Sequence, residues 1–150
     1  MFLDNLPVIF TACGIGVSIV LSGIGSAKGA AMIGRAAAAL ISEQPEKFGQ
    51  SLVLQMMSAS QGLYGFIVSF LIFMNLGRDL TMYNGVLYLT AGLIMGFAGY
   101  FTAIQQSIAA TAGIQILAKK PEHSTKGVLY SAMIETFAIF AFVVSVLIVL

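Results

Sequence analysis

Four long apolar segments, separated by short polar breaks, constrain the fold of this chain more than any other feature. They cover residues 8–42, 51–76, 85–118 and 127–150, and the second and third contain no charged side chain. About 20 consecutive apolar residues are enough to cross a bilayer as a helix. In hydrocarbon only helices and closed barrels satisfy every backbone hydrogen bond, and these segments lack the alternating pattern of a barrel strand. The sequence therefore predicts an all-α integral membrane protein with four transmembrane helices.

The composition excludes several other classes of protein. Hydrophobic residues make up 59% and charged residues 9% of the chain, whereas a soluble domain carries about 25% charged residues. A net charge of +1 provides no basic surface for nucleic acid, so we expect no nucleic-acid partner. The single histidine, His123, argues against a histidine-based metal site. The sequence contains no Gly-x-x-x-x-Gly-Lys-Ser/Thr motif, so we expect neither a nucleotide site nor enzymatic activity.

The chain repeats itself at an offset of 76 residues. At this offset Pro45-Glu46 falls on Pro121-Glu122, and several small and apolar positions coincide along the neighbouring segments. Chance similarity between two apolar helices does not account for a shared loop motif at the same offset. We interpret residues 1–150 as a single membrane domain made of two duplicated helical hairpins with the same, parallel topology, residues 1–76 and 77–150.

Small and bulky residues are distributed unequally over the four segments. Glycine, alanine and serine concentrate in the first and third, whereas the second and fourth carry phenylalanines at 66, 70, 73, 137, 140 and 142. Small residues allow helices to approach closely in lipid. An inner circle of small-residue helices inside an outer circle of bulky helices satisfies both compositions, which predicts a homo-oligomeric ring. Lys28 fits a wide central hole or the lipid headgroups better than a lipid-facing position.

The charges of the loops predict the orientation in the membrane. Lysines lie in the loops at 43–50 and 119–126, whereas the middle break carries only Arg78 beside Asp79. Positively charged loops stay on the cytoplasmic side. We therefore expect a multi-pass protein of the cell membrane with these two loops in the cytoplasm and both termini on the outer side.

Glu135 is the only acidic residue inside the four segments, and the position related to it by the repeat is Ala59. A charged carboxylate near the bilayer centre costs about 2.5–3.5 kcal/mol on insertion scales, and such residues are functional by default. The alternative is a protonated glutamate that makes one structural hydrogen bond. The sequence favours an ion-binding role for Glu135.

Oxygen-bearing side chains in the other segments are candidate partners for this carboxylate. One helix face of the second segment carries Met57, Ser60, Gln61 and Tyr64. The third segment contains Gln105-Gln106. Gln61 and Gln106 supply amide oxygens and Ser60 a hydroxyl, while Tyr64 is placed to donate to the carboxylate. A hard cation requires several oxygen ligands, whereas a proton requires only the carboxylate, so the set favours Na⁺ over H⁺. The alternative role for the glutamines is interhelical hydrogen bonding.

Over all four segments the chain resembles a known family, the four-helix proteolipids (c or K) of the V-type ATPase membrane rotor. The motifs that carry the resemblance are Ser22-Gly23-Ile24-Gly25-Ser26-Ala27-Lys28-Gly29, Gln61-Gly62-Leu63-Tyr64-Gly65, Ala112-Gly113-Ile114-Gln115 and the helix around Glu135. The chain is most similar to the bacterial Na⁺-translocating branch, through its glutamines and the Gln-Pro-Glu-Lys-Phe-Gly loop at 44–49.

The resemblance implies an assembly. Identical subunits form a ring in the lipid, with the carboxylates near mid-membrane. The ring turns against a stator membrane protein that has half-channels and a basic residue. Proteins of the central stalk couple the ring to ATP hydrolysis in the soluble head.

The resemblance also implies a ligand set for Na⁺, namely Glu135, Gln61, Gln106, Ser60 and the backbone carbonyl of Met57, with Tyr64 as a supporting donor. The chain departs from the family at two places. Ser60 stands where threonine is familiar, and Ser58-Ala59 stand where relatives often carry Pro-Gly. Proline distorts a helix, so its loss leaves the Met57 carbonyl as the ligand that the sequence supports least.

Three alternatives compete with a Na⁺-carrying rotor. The first is the same rotor carrying H⁺. The second is a small four-span exporter that depends on one membrane glutamate, which needs neither a duplicated hairpin nor glutamines facing the acid. The third is a purely structural proteolipid, against which Glu135 argues.

Overall fold

The computed structural model describes residues 5–77 and 80–150; Arg78 and Asp79, on which part of the predicted orientation depends, lie outside the described residues. The described chain is helical, as predicted, and four of its helical stretches are long and apolar enough to cross a membrane. The elements are α1 (Leu6–Glu43), a 3₁₀ turn (Pro45–Lys47), α2 (Phe48–Met56), a 3₁₀ turn (Met57–Ala59), α3 (Ser60–Phe73), α4 (Met82–Lys119), a 3₁₀ turn (Pro121–His123) and α5 (Ser124–Val149).

The helices do not begin and end where the apolar segments do. The second membrane helix runs over Pro45–Phe73 and the fourth over Pro121–Val149, so each begins about six residues before its apolar segment. Proline is tolerated in the first turn because its missing N–H has no partner there in any case. The apolar segments mark only the part of each helix that lies in hydrocarbon. The polar first turns of the second and fourth membrane helices lie outside the hydrocarbon.

α1 and α4 are longer than the bilayer requires. Each contains 38 residues, which corresponds to about 57 Å of helix. The hydrocarbon core is only about 30 Å thick. Both helices therefore extend beyond it.

The offset of 76 residues is visible in the backbone itself. When 76 is added to each residue number, the bounds of α1, Leu6–Glu43, give those of α4, Met82–Lys119. The turn Pro45–Lys47 gives the turn Pro121–His123 in the same way. The residues that follow the two long helices, Gln44 and Lys120, have φ, ψ of −135°, 72° and −144°, 73°. The fold is therefore two copies of one hairpin.

Hydrogen bonds within the hairpins repeat at the same offset. Ser69 Oγ donates to the carbonyl oxygen of Ile15 at 2.9 Å, and Ser145 Oγ donates to that of Ala91 at 3.1 Å. Because side chains and backbone repeat together, the contacts of one hairpin predict those of the other.

α1 and α4 form the closely packed centre of the chain. Gly25 and Gly96 are the clearest examples: a Cβ atom at either position would lie 2.6 Å from backbone atoms of Tyr100 and Val17, respectively. Only glycine permits this approach. In contrast, Phe66, Phe70, Phe73, Phe137 and Phe140 are all at least half exposed on α3 and α5. The described chain thus has a small-residue centre and a bulky outer side.

Candidate ion-binding site

Glu135 lies on α5, half-buried where α3, α4 and α5 meet. The hydroxyl of Tyr64 donates to its Oε1 at 2.7 Å. The Nε2 of Gln106 donates to its Oε2 at 3.4 Å. Each carboxylate oxygen therefore accepts a hydrogen bond.

Gln61 on α3 and Gln106 on α4 are fully buried. The amide nitrogen of Gln61 donates to the amide oxygen of Gln106. Buried amides without partners are costly, and here each amide has one. The structure brings the two glutamines together with Glu135, although they come from three different helices.

Ser60 extends this chain of donors by one residue. Its hydroxyl lies 3.3 Å from Oε1 of Gln61 and 3.2 Å from the backbone carbonyl oxygen of Met57. The carboxylate and amide groups, the hydroxyl and the Met57 carbonyl therefore form one connected polar cluster. All five residues that the family resemblance implies as ligands belong to it.

The carbonyl of Met57 lies in a 3₁₀ turn, Met57–Ala59, that separates α2 from α3. A short 3₁₀ stretch inside a helix interrupts the regular pattern of backbone hydrogen bonds. The interruption is present although Ser58-Ala59 replace Pro-Gly. The Ser60 hydroxyl, which bonds back to the carbonyl three residues earlier, is the kind of side chain that competes with helical backbone pairing.

Two residues that the sequence analysis did not select support the cluster. The ring of Phe142 stacks on that of Tyr64 at a centroid distance of 5.0 Å, and so orients the tyrosine hydroxyl. Ser131, one turn before Glu135, is fully buried and donates to the backbone carbonyl oxygen of Gln106 at 3.3 Å. The only sequence signal for Ser131 is its spacing of four residues from Glu135, which places both on one helix face.

Gln105 does not take part in the cluster. It is exposed, whereas its neighbour Gln106 is fully buried. The two residues project from α4 about 100° apart, so only one of them can face α5. This difference makes Gln105 a useful control for Gln106.

The cluster has no counterpart at the positions related to it by the repeat. Gln61 and Tyr64 correspond to Phe137 and Phe140, Gln106 to Ala30, and Glu135 to Ala59. The carboxylate, both amides and the tyrosine are thus replaced by apolar side chains, whereas Ser60 keeps a hydroxyl counterpart in Thr136. Among the residues that the structure describes, such a cluster occurs once.

The cluster gathers several oxygen atoms that could act as ligands. It combines one carboxylate, two amide oxygens, a hydroxyl and a backbone carbonyl, all of them oxygen ligands. Oxygen donors of this kind suit hard cations. A single carboxylate would balance one positive charge, which is the neutrality that a site inside hydrocarbon requires.

Comparison with known proteins identifies relatives of the whole chain. The family model that describes the C subunit of ATP synthase matches twice, at residues 13–72 and 89–148. The chain is 53% identical to the V-type sodium ATPase subunit K of Enterococcus hirae, over 98% of the chain and 94% of the relative. It is 37% identical to the A-type ATP synthase subunit K of Methanocaldococcus jannaschii, over 94% of the chain and 62% of the relative. It is 28% identical to the 16 kDa proteolipid of the V-type proton ATPase of Homo sapiens, over 92% and 89%.

Proposed function

Because the chain belongs to the family of ATP synthase C subunits, as its motifs indicated, we propose that it is a rotor-ring subunit of a V-type ATPase and carries Na⁺ across the membrane on Glu135. The observation that supports this proposal best is the cluster around Glu135, in which both carboxylate oxygens accept hydrogen bonds and further oxygen ligands lie alongside. The relative from Enterococcus hirae, named as part of a sodium ATPase, supports Na⁺ as the ion.

Na⁺ binds between the oxygens of Glu135, Gln61, Gln106, Ser60 and the Met57 backbone. Tyr64 holds the carboxylate in position through its hydrogen bond of 2.7 Å. An empty, ionised Glu135 facing lipid is too costly to carry around the ring. Bound Na⁺ neutralises it, so that only filled sites cross the lipid-facing arc.

Release occurs where the ring meets the stator. A basic residue of the stator competes for the carboxylate and displaces Na⁺ into a half-channel. The chain itself binds no nucleotide, and ATP hydrolysis in the soluble head drives the rotation. The loops at 43–50 and 119–126 face the cytoplasm and contact the central stalk, whereas both termini lie outside.

Carbodiimide labelling of Glu135 tests the proposal. The reagent modifies a protonated carboxylate, and Na⁺ competes with the proton for the same oxygens. We expect Na⁺ at neutral pH to slow labelling of the purified protein, whereas K⁺ at the same concentration does not. The variant Glu135→Gln is the control, and it should neither be labelled nor transport Na⁺.

The human relative is named as part of a proton ATPase, which makes H⁺ the alternative ion. Labelling and transport that are indifferent to Na⁺ would show that the rotor carries H⁺. Labelling that persists in Glu135→Gln would contradict the assignment of the carboxylate.

A further inference from the structure

An open basic cavity lies at the loop end of the second hairpin, between α4 and α5. Its volume is about 620 Å³. Four basic side chains surround it: Lys119, Lys120, His123 and Lys126. Its apolar wall includes Ile116 and Tyr130, and Tyr130 is 63% exposed. The cluster around Glu135 does not use this cavity.

In the first hairpin the corresponding apolar wall is covered. Ile116 and Tyr130 correspond to Leu40 and Leu54, which are 7% and 0% exposed. Three residues of α4 form one buried cluster with these two leucines: Ala110, Ile114 and Leu117. Residues of α4 therefore cover Leu40 and Leu54 of the first hairpin. The corresponding surface of the second hairpin, at Ile116 and Tyr130, is left open.

Lys47 makes two hydrogen bonds across the covered contact between the first hairpin and α4. Its Nζ donates to the carbonyl oxygens of Leu117 and Ala118, at 3.0 and 3.1 Å. The last carbonyls of a helix have no partner within the helix. A cation there satisfies them and also interacts favourably with the negative end of the helix dipole. The residue that corresponds to Lys47 is His123, which lies at the edge of the open cavity.

We infer that the open cavity receives the end of α1 of the neighbouring copy in the ring. This inference rests on the proposed function, since it requires a ring of identical chains. By the repeat, Gly34, Ala38 and Ile41 correspond to Ala110, Ile114 and Leu117. When the contact within the chain is repeated between copies, these three residues of the neighbouring copy pack against the open cavity, as their counterparts on α4 pack against the first hairpin. These three residues are small or apolar, and all of them are partly or fully exposed in the single chain.

The same shift places His123 against the carbonyl oxygens of Ile41 and Ser42 of the neighbouring copy. No basic residue lies in the last turn of α1 to satisfy them from within the chain. His123 takes the place that Lys47 has in the contact between the two hairpins.

The charges of the two surfaces are complementary. The cavity carries three lysines and a histidine. The entering end of α1 carries Glu43, which is exposed, together with the partial negative charge of a helix C-terminus. Anionic lipid headgroups also suit a basic cavity at a membrane surface. However, the surface that corresponds to the cavity in the first hairpin is covered by protein, so the repeat favours a second copy of this chain.

Cross-linking between paired cysteines tests the inference. Ser42→Cys and His123→Cys are introduced together into a Cys13→Ser background, and purified rings are treated with a short bis-maleimide. We expect a ladder of covalent dimers, trimers and higher species on a denaturing gel. The matched control is Lys47→Cys with Ala118→Cys, which joins the equivalent contact within one chain and should give monomers with altered mobility but no ladder.

The possible outcomes separate this inference from the proposed function. Rings that stay intact in mild detergent but give no ladder would overturn the inference and leave the rotor assignment standing. A cysteine at 123 that is shielded from maleimide only when phosphatidylglycerol is added would also overturn it, in favour of a lipid headgroup. A protein that is monomeric in mild detergent would overturn both.

Discussion

At the scale of single residues, the environment of Glu135 explains how a carboxylate is held inside hydrocarbon. Tyr64 and Gln106 donate to its two oxygens, and Gln61 and Ser60 extend the hydrogen bonds away from it. Each polar group satisfies the next, so that none of these buried groups is left without a partner. A cation that enters the cluster finds oxygens already gathered in one place.

Gln106→Ala is expected to weaken Na⁺ binding at least tenfold, because it removes one oxygen ligand and one donor to the carboxylate. A hydrogen bond to a charged group is worth about 1.5–3 kcal/mol, and about 1.4 kcal/mol corresponds to a factor of ten. Gln105→Ala removes the same side chain from an exposed position and should leave the affinity unchanged. The Na⁺ concentration that halves the rate of carbodiimide labelling measures both. Equal affinities in the two variants would rule out Gln106 as a ligand.

Tyr64→Phe removes only the hydroxyl that donates to Glu135 at 2.7 Å and keeps the ring that stacks on Phe142. We expect roughly tenfold weaker Na⁺ binding, with the ring of subunits still assembled. Tyr83→Phe, at a residue that is 73% exposed, is the control and should behave like the unmodified protein. Assembly that is lost together with binding would indicate a structural role for Tyr64.

At the scale of helices, the second membrane helix is interrupted beside the cluster without a proline. The 3₁₀ turn Met57–Ala59 contains Ser58, whose hydroxyl is fully buried and has no hydrogen-bond partner among the described residues. A buried hydroxyl without a partner costs free energy. Ser58 is therefore buried at some cost, and the interruption places the Met57 carbonyl beside Ser60.

Ser58→Pro should consequently be tolerated. A proline in a regular helix costs about 3 kcal/mol because it removes a backbone hydrogen bond and clashes with the preceding turn, but the helix is already interrupted at Ser58. We expect assembled rings with a dissociation temperature close to that of the unmodified protein. Phe66→Pro, in the regular and lipid-facing part of α3, should lower that temperature clearly. A similar loss in both variants would mean that the turn depends on serine.

At the scale of the whole molecule, the duplicated hairpin carries the polar cluster at only one of the two sets of positions that the repeat relates. Phe137, Phe140, Ala30 and Ala59 occupy four of the positions that correspond to the cluster, and Thr136 corresponds to Ser60. In the ring that we propose, the interface between copies is therefore largely apolar at the level of the cluster. The family and the repeated fold both place these interfaces around a ring.

The protein in mild detergent should therefore be a large symmetric ring whose mass is a multiple of 15.8 kDa, and it should bind one Na⁺ per chain. Native mass spectrometry measures the first quantity and ²²Na⁺ binding at saturation the second. Two ions per chain would mean that the apolar interface also binds Na⁺. Binding in Glu135→Gln, measured in parallel, should be absent.

The sequence by itself determined the features that depend on neighbouring residues along the chain. The four membrane helices follow from apolar length, the duplicated hairpin from the offset between Pro45 and Pro121, and the unusual carboxylate from the presence of Glu135 in an apolar segment. The similarity to rotor proteolipids depended on short motifs in the same way. These features do not depend on how the helices pack, because the free-energy cost of exposing backbone groups or charges to hydrocarbon is set by the local sequence.

Only the tertiary structure decided which side chains meet. Hydropathy does not separate Gln105 from Gln106, does not assign Ser131 to the backbone of Gln106, and does not show that the helix is interrupted at Met57 in the absence of proline. It also does not show that one face of the first hairpin is covered while the corresponding face of the second is open. These outcomes depend on how far each helix is rotated and how closely it approaches its neighbours, and packing between helices sets both quantities.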